Sequence, residues 1–107
     1  MDFSDVTSRE QALRLCREGK LFEMFLFPPE LGGQEIPENI TFVPLGIPEI
    51  KQQITETLIR FFQEGLLNRL SVTPEYKGKS FVPCKIQMKG WHTEKKGGFE
   101  PSIIDIW

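Results

Sequence analysis

The chain has 107 residues, 39% hydrophobic and 26% charged, with a formal net charge of -2, which excludes a disordered tail and points to one ordinary globular domain with a real core. No run approaches the ~20 apolar residues of a membrane span, and the opening Met1-Asp2-Phe3-Ser4-Asp5 lacks the basic start and apolar stretch of a secretory signal, so a cytoplasmic location is expected. Cys16 and Cys84 are the two cysteines and show no paired spacing, which argues against a disulfide framework and for two small apolar core residues.

The first helix is expected over 8–18. Thr7 and Glu10 have the spacing of a capping box, Ala12, Leu13 and Cys16 form an apolar stripe, and Gly19 suits the left-handed position that ends a helix. Residues 21–27 are dense in Phe and Leu and stop at Pro28-Pro29, which predicts a strand, central in its sheet because both faces are apolar. Residues 28–39, rich in Pro and Gly and carrying Glu30, Glu35 and Glu38, form a surface loop. A short strand, 40–43, follows.

The second helix has the clearest periodicity. Ile47, Ile50, Ile54, Leu58, Phe61 and Phe62 recur at spacings of three and four, leaving Lys51, Gln52, Glu56 and Arg60 for solvent. Gly65 is its expected stop, with continuation to Arg69 as the alternative. Leu70 and Val72 then alternate with Arg69, Ser71 and Thr73 in a half-buried strand ending at Pro74. After a turn at Lys77-Gly78-Lys79, the residues Val82, Cys84, Ile86 and Met88 share one face of a strand whose other face shows Lys85, Gln87 and Lys89. A turn at 95–98 and a final strand within 102–107 complete the chain.

The expected fold is therefore α+β: a single domain with a four- or five-stranded antiparallel or mixed sheet and two helices on one face, in the order α-β-β-α-β-β, with or without a final β. The halves also align weakly as an αββ repeat. Thr41-Phe42-Val43-Pro44 corresponds to Ser80-Phe81-Val82-Pro83, and the first half has the longer, acidic loop. Duplication and the shared preferences of helix and strand ends both account for this match.

Charge is uneven: residues 1–50 carry four Lys or Arg against nine Asp or Glu, and residues 51–107 carry nine against six. No phosphate loop, dinucleotide fingerprint, zinc-protease helix or nucleophile elbow occurs, so no cofactor or metal is expected. His92 is the only histidine, and a Cys84–His92 nucleophile pair is disfavoured because Cys84 belongs to the apolar row. The reading this leaves is a non-catalytic protein-binding domain of bacterial type, contacting its partner through Glu30, Glu35, Glu38 and Trp91. Its concrete form is an immunity-like inhibitor of a basic toxin.

Two alternatives stay open. A nucleic-acid-binding sheet face would use Arg69, Lys85 and Lys89 beside Phe25 and Phe27. A small hydrolase-like enzyme would use the loop carboxylates. The apolar C-terminal segment, with Trp91, Phe99, Ile103, Ile104, Ile106 and Trp107, is expected to fold back on the sheet, or else to pair with a second copy in a homodimer.

Overall fold

The computed structural model describes residues 2–96 and 100–107; the expected turn at 95–98 falls partly, and Phe99 wholly, outside them. Two helices, α1 (Arg9–Arg17) and α2 (Ile47–Gln63), and five strands, β1 (Phe22–Phe25), β2 (Ile40–Val43), β3 (Arg69–Tyr76), β4 (Pro83–Trp91) and β5 (Ser102–Asp105), make an α+β fold in the order α-β-β-α-β-β-β.

Both helices stop as their glycines dictate. Gly19 and Gly65 have φ of 76° and 75°, and the bonds Lys20 N to Leu15 O (2.9 Å) and Leu66 N to Phe61 O (2.9 Å) close the same motif at each C-terminus. The continuation of α2 to Arg69 is thereby corrected. At the start of α1 the expected cap is displaced by one residue: Ser8 Oγ accepts from Gln11 N at 3.2 Å, and Gln11 Oε1 accepts from Thr7 N at 2.8 Å. Glu10 stays exposed.

The strands do not form the single sheet expected. β1 and β2 pair antiparallel in one sheet, and β3, β4 and β5 pair antiparallel in another with β4 in the middle. Since β3 and β5 occupy both edges of β4, β2 meets that sheet through its side chains. Val43 enters a core with Leu58, Ile86, Met88 and Ile104. The next residue back, Phe42, points the opposite way into a second core with Phe3, Val6, Ala12, Leu21 and Val82. Each helix therefore covers its own core, and the expectation of both on one sheet face is corrected.

β1 is likewise not central, because β2 is its one neighbour and Phe22 is 37% exposed. β3 runs on through Pro74 to Tyr76; as an edge strand it tolerates a missing amide donor. The C-terminal segment does fold back, with Ile104 opposite Ile86 and Ser102 opposite Met88, and Trp107 closes the second core edge-on to Phe3, ring centroids 5.9 Å apart. Gly90 permits the close approach of α2: a Cβ there would lie 2.8 Å from Leu67 Cδ1 and 3.3 Å from Leu58 Cδ2.

The two aligned tetrapeptides occupy different settings. Phe42 is buried within β2, whereas Phe81 is exposed in the turn before β4.

Candidate functional site

The acidic loop between β1 and β2 is ordered by its own polar groups. Asn39 accepts from Phe27 N at 2.8 Å and donates to Phe27 O and Gln34 O, both at 3.0 Å. Gly33 donates to Pro28 O at 2.9 Å and lies so close to that backbone that any Cβ would collide with the Phe27 carbonyl oxygen. Two short 3-10 turns, Pro29–Leu31 and Pro37–Asn39, complete it. The loop holds Glu30, Glu35 and Glu38 exposed but apart. Glu30 borders a hollow against α2, Glu35 a hollow beside Glu23, and Glu38 a larger cleft that also touches Arg9 and Phe81. Among the described residues these three carboxylates line separate hollows, and the second carboxylate that shares one with Glu35 is Glu23 of β1.

The cleft beside Glu38, about 450 Å³, runs between β2 and the turn that joins β3 to β4, with Arg9, Phe42, Tyr76, Lys79 and Phe81 among its walls. Tyr76 is 45% and Phe81 40% exposed. The turn is rigid. Phe81 N donates to Val6 O at 2.7 Å, and Ser80 Oγ donates to Phe3 O at 2.8 Å while accepting from Val82 N at 3.0 Å. Burying Ser80 and Val82 on either side turns Phe81 outward. Sequence reasoning missed this residue, because a Phe flanked by β-prone residues reads as strand core.

The outer face of the three-stranded sheet gathers Arg69, Lys85, Lys89 and Trp91. Arg69 is opposite Trp91, Lys89 opposite Ser71, and Lys85 lies between Glu75 and Asp105, 3.8 Å from the latter carboxylate. The basic row is thus flanked by carboxylates at its Lys85 end. Phe25 and Phe27 do not join it, since Phe25 belongs to the other sheet and Phe27 to the acidic loop. Trp91 is also separated from the loop glutamates: it ends β4, whereas the cleft beside Glu38 adjoins the start of that strand.

The hollow beside Glu30, about 260 Å³, has a floor that the sequence did not suggest. Lys51, expected in solvent, is 5% exposed, and Ile50, expected in the core, is 46% exposed. The fully buried positions of α2 are therefore Ile47, Lys51, Thr55 and Leu58, while Ile54, Phe61 and Phe62 pack partly buried against the same core. The buried stripe thus keeps most of its expected members and is widened on the Lys51 border at the expense of Ile50. Burial lowers the Lys51 ammonium to about 8, with the nearby Glu30 carboxylate opposing. Thr55 lines the same hollow, 2% exposed, and its Oγ1 has no hydrogen-bond partner among the described residues. Met24, Phe25, Pro28, Pro29 and Pro48 supply apolar walls.

Cys84 lies at the start of β4 and His92 just beyond its end, about 26 Å apart at ~3.3 Å per residue, so they form no nucleophile pair. His92 Nδ1 accepts from Glu94 N at 3.0 Å. Among the described residues no group of three or more His, Cys, Asp or Glu is placed to hold a metal, and no helix is long and apolar enough to cross a membrane. No protein-family model, no curated protein and no solved structure matches the chain.

Proposed function

We propose that the chain is a non-catalytic protein-binding domain that engages its partner through the acidic loop and the cleft beside it. The observation that carries this reading is that Glu38 borders a cleft of about 450 Å³ whose opposite wall presents exposed Tyr76 and Phe81. Aromatic side chains next to a charged rim are the usual anchors of a protein interface. Both walls are held by internal hydrogen bonds, so little ordering entropy is lost on docking. The three outward glutamates favour a basic partner, of which a toxin inhibited by an immunity-like protein in a bacterial cytoplasm is the concrete form.

The test is affinity capture of small basic proteins, followed by calorimetry on the isolated pair. Phe81→Ser is expected to weaken binding at least ~30-fold as a central anchor, and Glu35→Lys about 3-fold to 10-fold as a rim charge. Unchanged affinity in both variants removes this surface from consideration.

A second reading follows from Arg69, Lys85, Lys89 and Trp91 sharing one sheet face. A sheet face with an aromatic residue beside Arg69 and Lys89 suits stacking on single-stranded nucleic acid, with Lys85 held by Asp105 at its other end. Trp91 fluorescence should then quench on titration with an oligonucleotide at low salt and recover as salt rises. The open edge of β5 is where a second copy would pair if the chain forms a homodimer, which sedimentation equilibrium decides.

A further inference from the structure

The hollow under the acidic loop is lined by two polar side chains that have no hydrogen-bond partner among the described residues. Lys51 is 5% exposed on the buried stripe of α2 and has no ion pair among the described residues. Thr55, one turn further on, is 2% exposed, and its Oγ1 has no hydrogen-bond partner there. A largely buried lysine and an enclosed hydroxyl, neither with a hydrogen-bond partner among the described residues, lower stability, and an incoming acceptor would relieve both at once. The one charged residue lining the hollow besides Lys51 is Glu30, which is exposed on the loop, where water screens it.

We infer that this hollow binds a small organic molecule carrying a single carboxylate on an apolar body. The carboxylate accepts hydrogen bonds from Lys51 Nζ and Thr55 Oγ1, which rise on one face of the same helix. The apolar body lies against Phe25, Pro28 and Pro48, whose two prolines are rigid and lose little freedom on contact. At about 260 Å³ the space is below the ~300–1,000 Å³ of drug-sized sites, which selects a compact ligand over a nucleotide or a peptide segment. The charge preference follows from the rim: Lys51 offers one positive charge, and Glu30 at the mouth repels a second negative one, so phosphate and dicarboxylates are disfavoured. This inference is separate from the protein-binding reading, whose aromatic anchors Tyr76 and Phe81 line the cleft beside Glu38 and not this hollow.

Titration of the ¹⁵N-labelled full chain with sodium phenylacetate, followed by amide chemical shifts, tests it. Saturable shifts at Lys51, Gln52 and Thr55 are expected, with a dissociation constant on the order of 1 mM for a ligand of this size. Phenylacetamide, which has the same shape and no charge, should bind at least ~10-fold more weakly, and inorganic phosphate should produce no saturable shift. Lys51→Met should abolish binding while melting as a folded protein, and Glu30→Gln, a surface change, should tighten phenylacetate about 2-fold to 5-fold. Absence of saturation by ~20 mM phenylacetate, well above the expected constant, overturns the inference. So does equal binding of the amide, saturation by phosphate, or undiminished binding in a folded Lys51→Met.

Discussion

Lys51 and Thr55 stand one turn apart on the buried stripe of α2 and line the same hollow, although an amphipathic helix normally gives such positions to apolar side chains. Their burial makes the unliganded fold less stable than its packing would allow, and the following outcomes are expected.

Lys51→Met should stabilise the protein. The displacement of the ammonium from 10.5 to about 8, at ~1.4 kcal/mol for each pH unit, caps the gain at about 3.5 kcal/mol, and about 1–2 kcal/mol at pH 7 is expected after relaxation. The folded value lies below the unfolded one, so the unfolded chain holds the extra proton between pH 8 and 10.5. Wild-type stability attributable to this residue is therefore lowest below pH 8 and rises across that window. Urea denaturation of both proteins at several pH values checks this: the difference between them should shrink as pH rises, and a constant difference contradicts it.

Thr55→Val should be neutral or stabilising, by up to about 1 kcal/mol, because it removes a buried hydroxyl without a partner and keeps the shape. A loss above ~1 kcal/mol in denaturation would show that the hydroxyl is satisfied in solution.

Gly33→Ala should disrupt the acidic loop. The new methyl meets the Phe27 carbonyl oxygen, a backbone atom that cannot rotate away, so a cost of at least ~2 kcal/mol is expected from overpacking. Asn39→Ala, which removes the three clasp bonds, should cost about 1–3 kcal/mol. In both, amide exchange should accelerate over 27–39 before it changes in β4.

Ser80→Ala should loosen the junction between the N-terminal segment and the β3–β4 turn. It leaves Val82 N and Phe3 O without their buried partner, at about 1–3 kcal/mol. Thermal melts give the magnitude. In a Trp91→Phe background a readout confined to this junction is the fluorescence of Trp107, whose Nε1 donates to Val82 O at 3.0 Å.

Some of this was legible in the residues themselves and some was not. The stops of both helices at Gly19 and Gly65, the alternation along β4 and the polar loop at 28–39 rest on local rules, namely φ preference, side-chain period and turn composition. Those rules act within a few residues, so the sequence alone determined them. The division into two sheets was not local: β4 has two edges, β3 and β5 occupy both, and β2 is left to stack rather than pair.

The candidate sites divide the same way. Exposure of Glu30, Glu35 and Glu38 follows from composition, but their dispersal over separate hollows depends on how Asn39 folds the loop. Lys51 was misplaced for a related reason. Ile50 and Lys51 differ by ~100° around the helix axis, and helical periodicity locates an apolar stripe without fixing which of its borders meets the core. That choice fell to the neighbours of α2, with the 3-10 turn at Pro29–Leu31 and β1 covering the Lys51 side and leaving Ile50 in water. The sequence by itself determined where elements begin, end and turn, because those signals are short-ranged. The tertiary structure alone decided which polar groups lost their water, because that depends on residues far away in the chain.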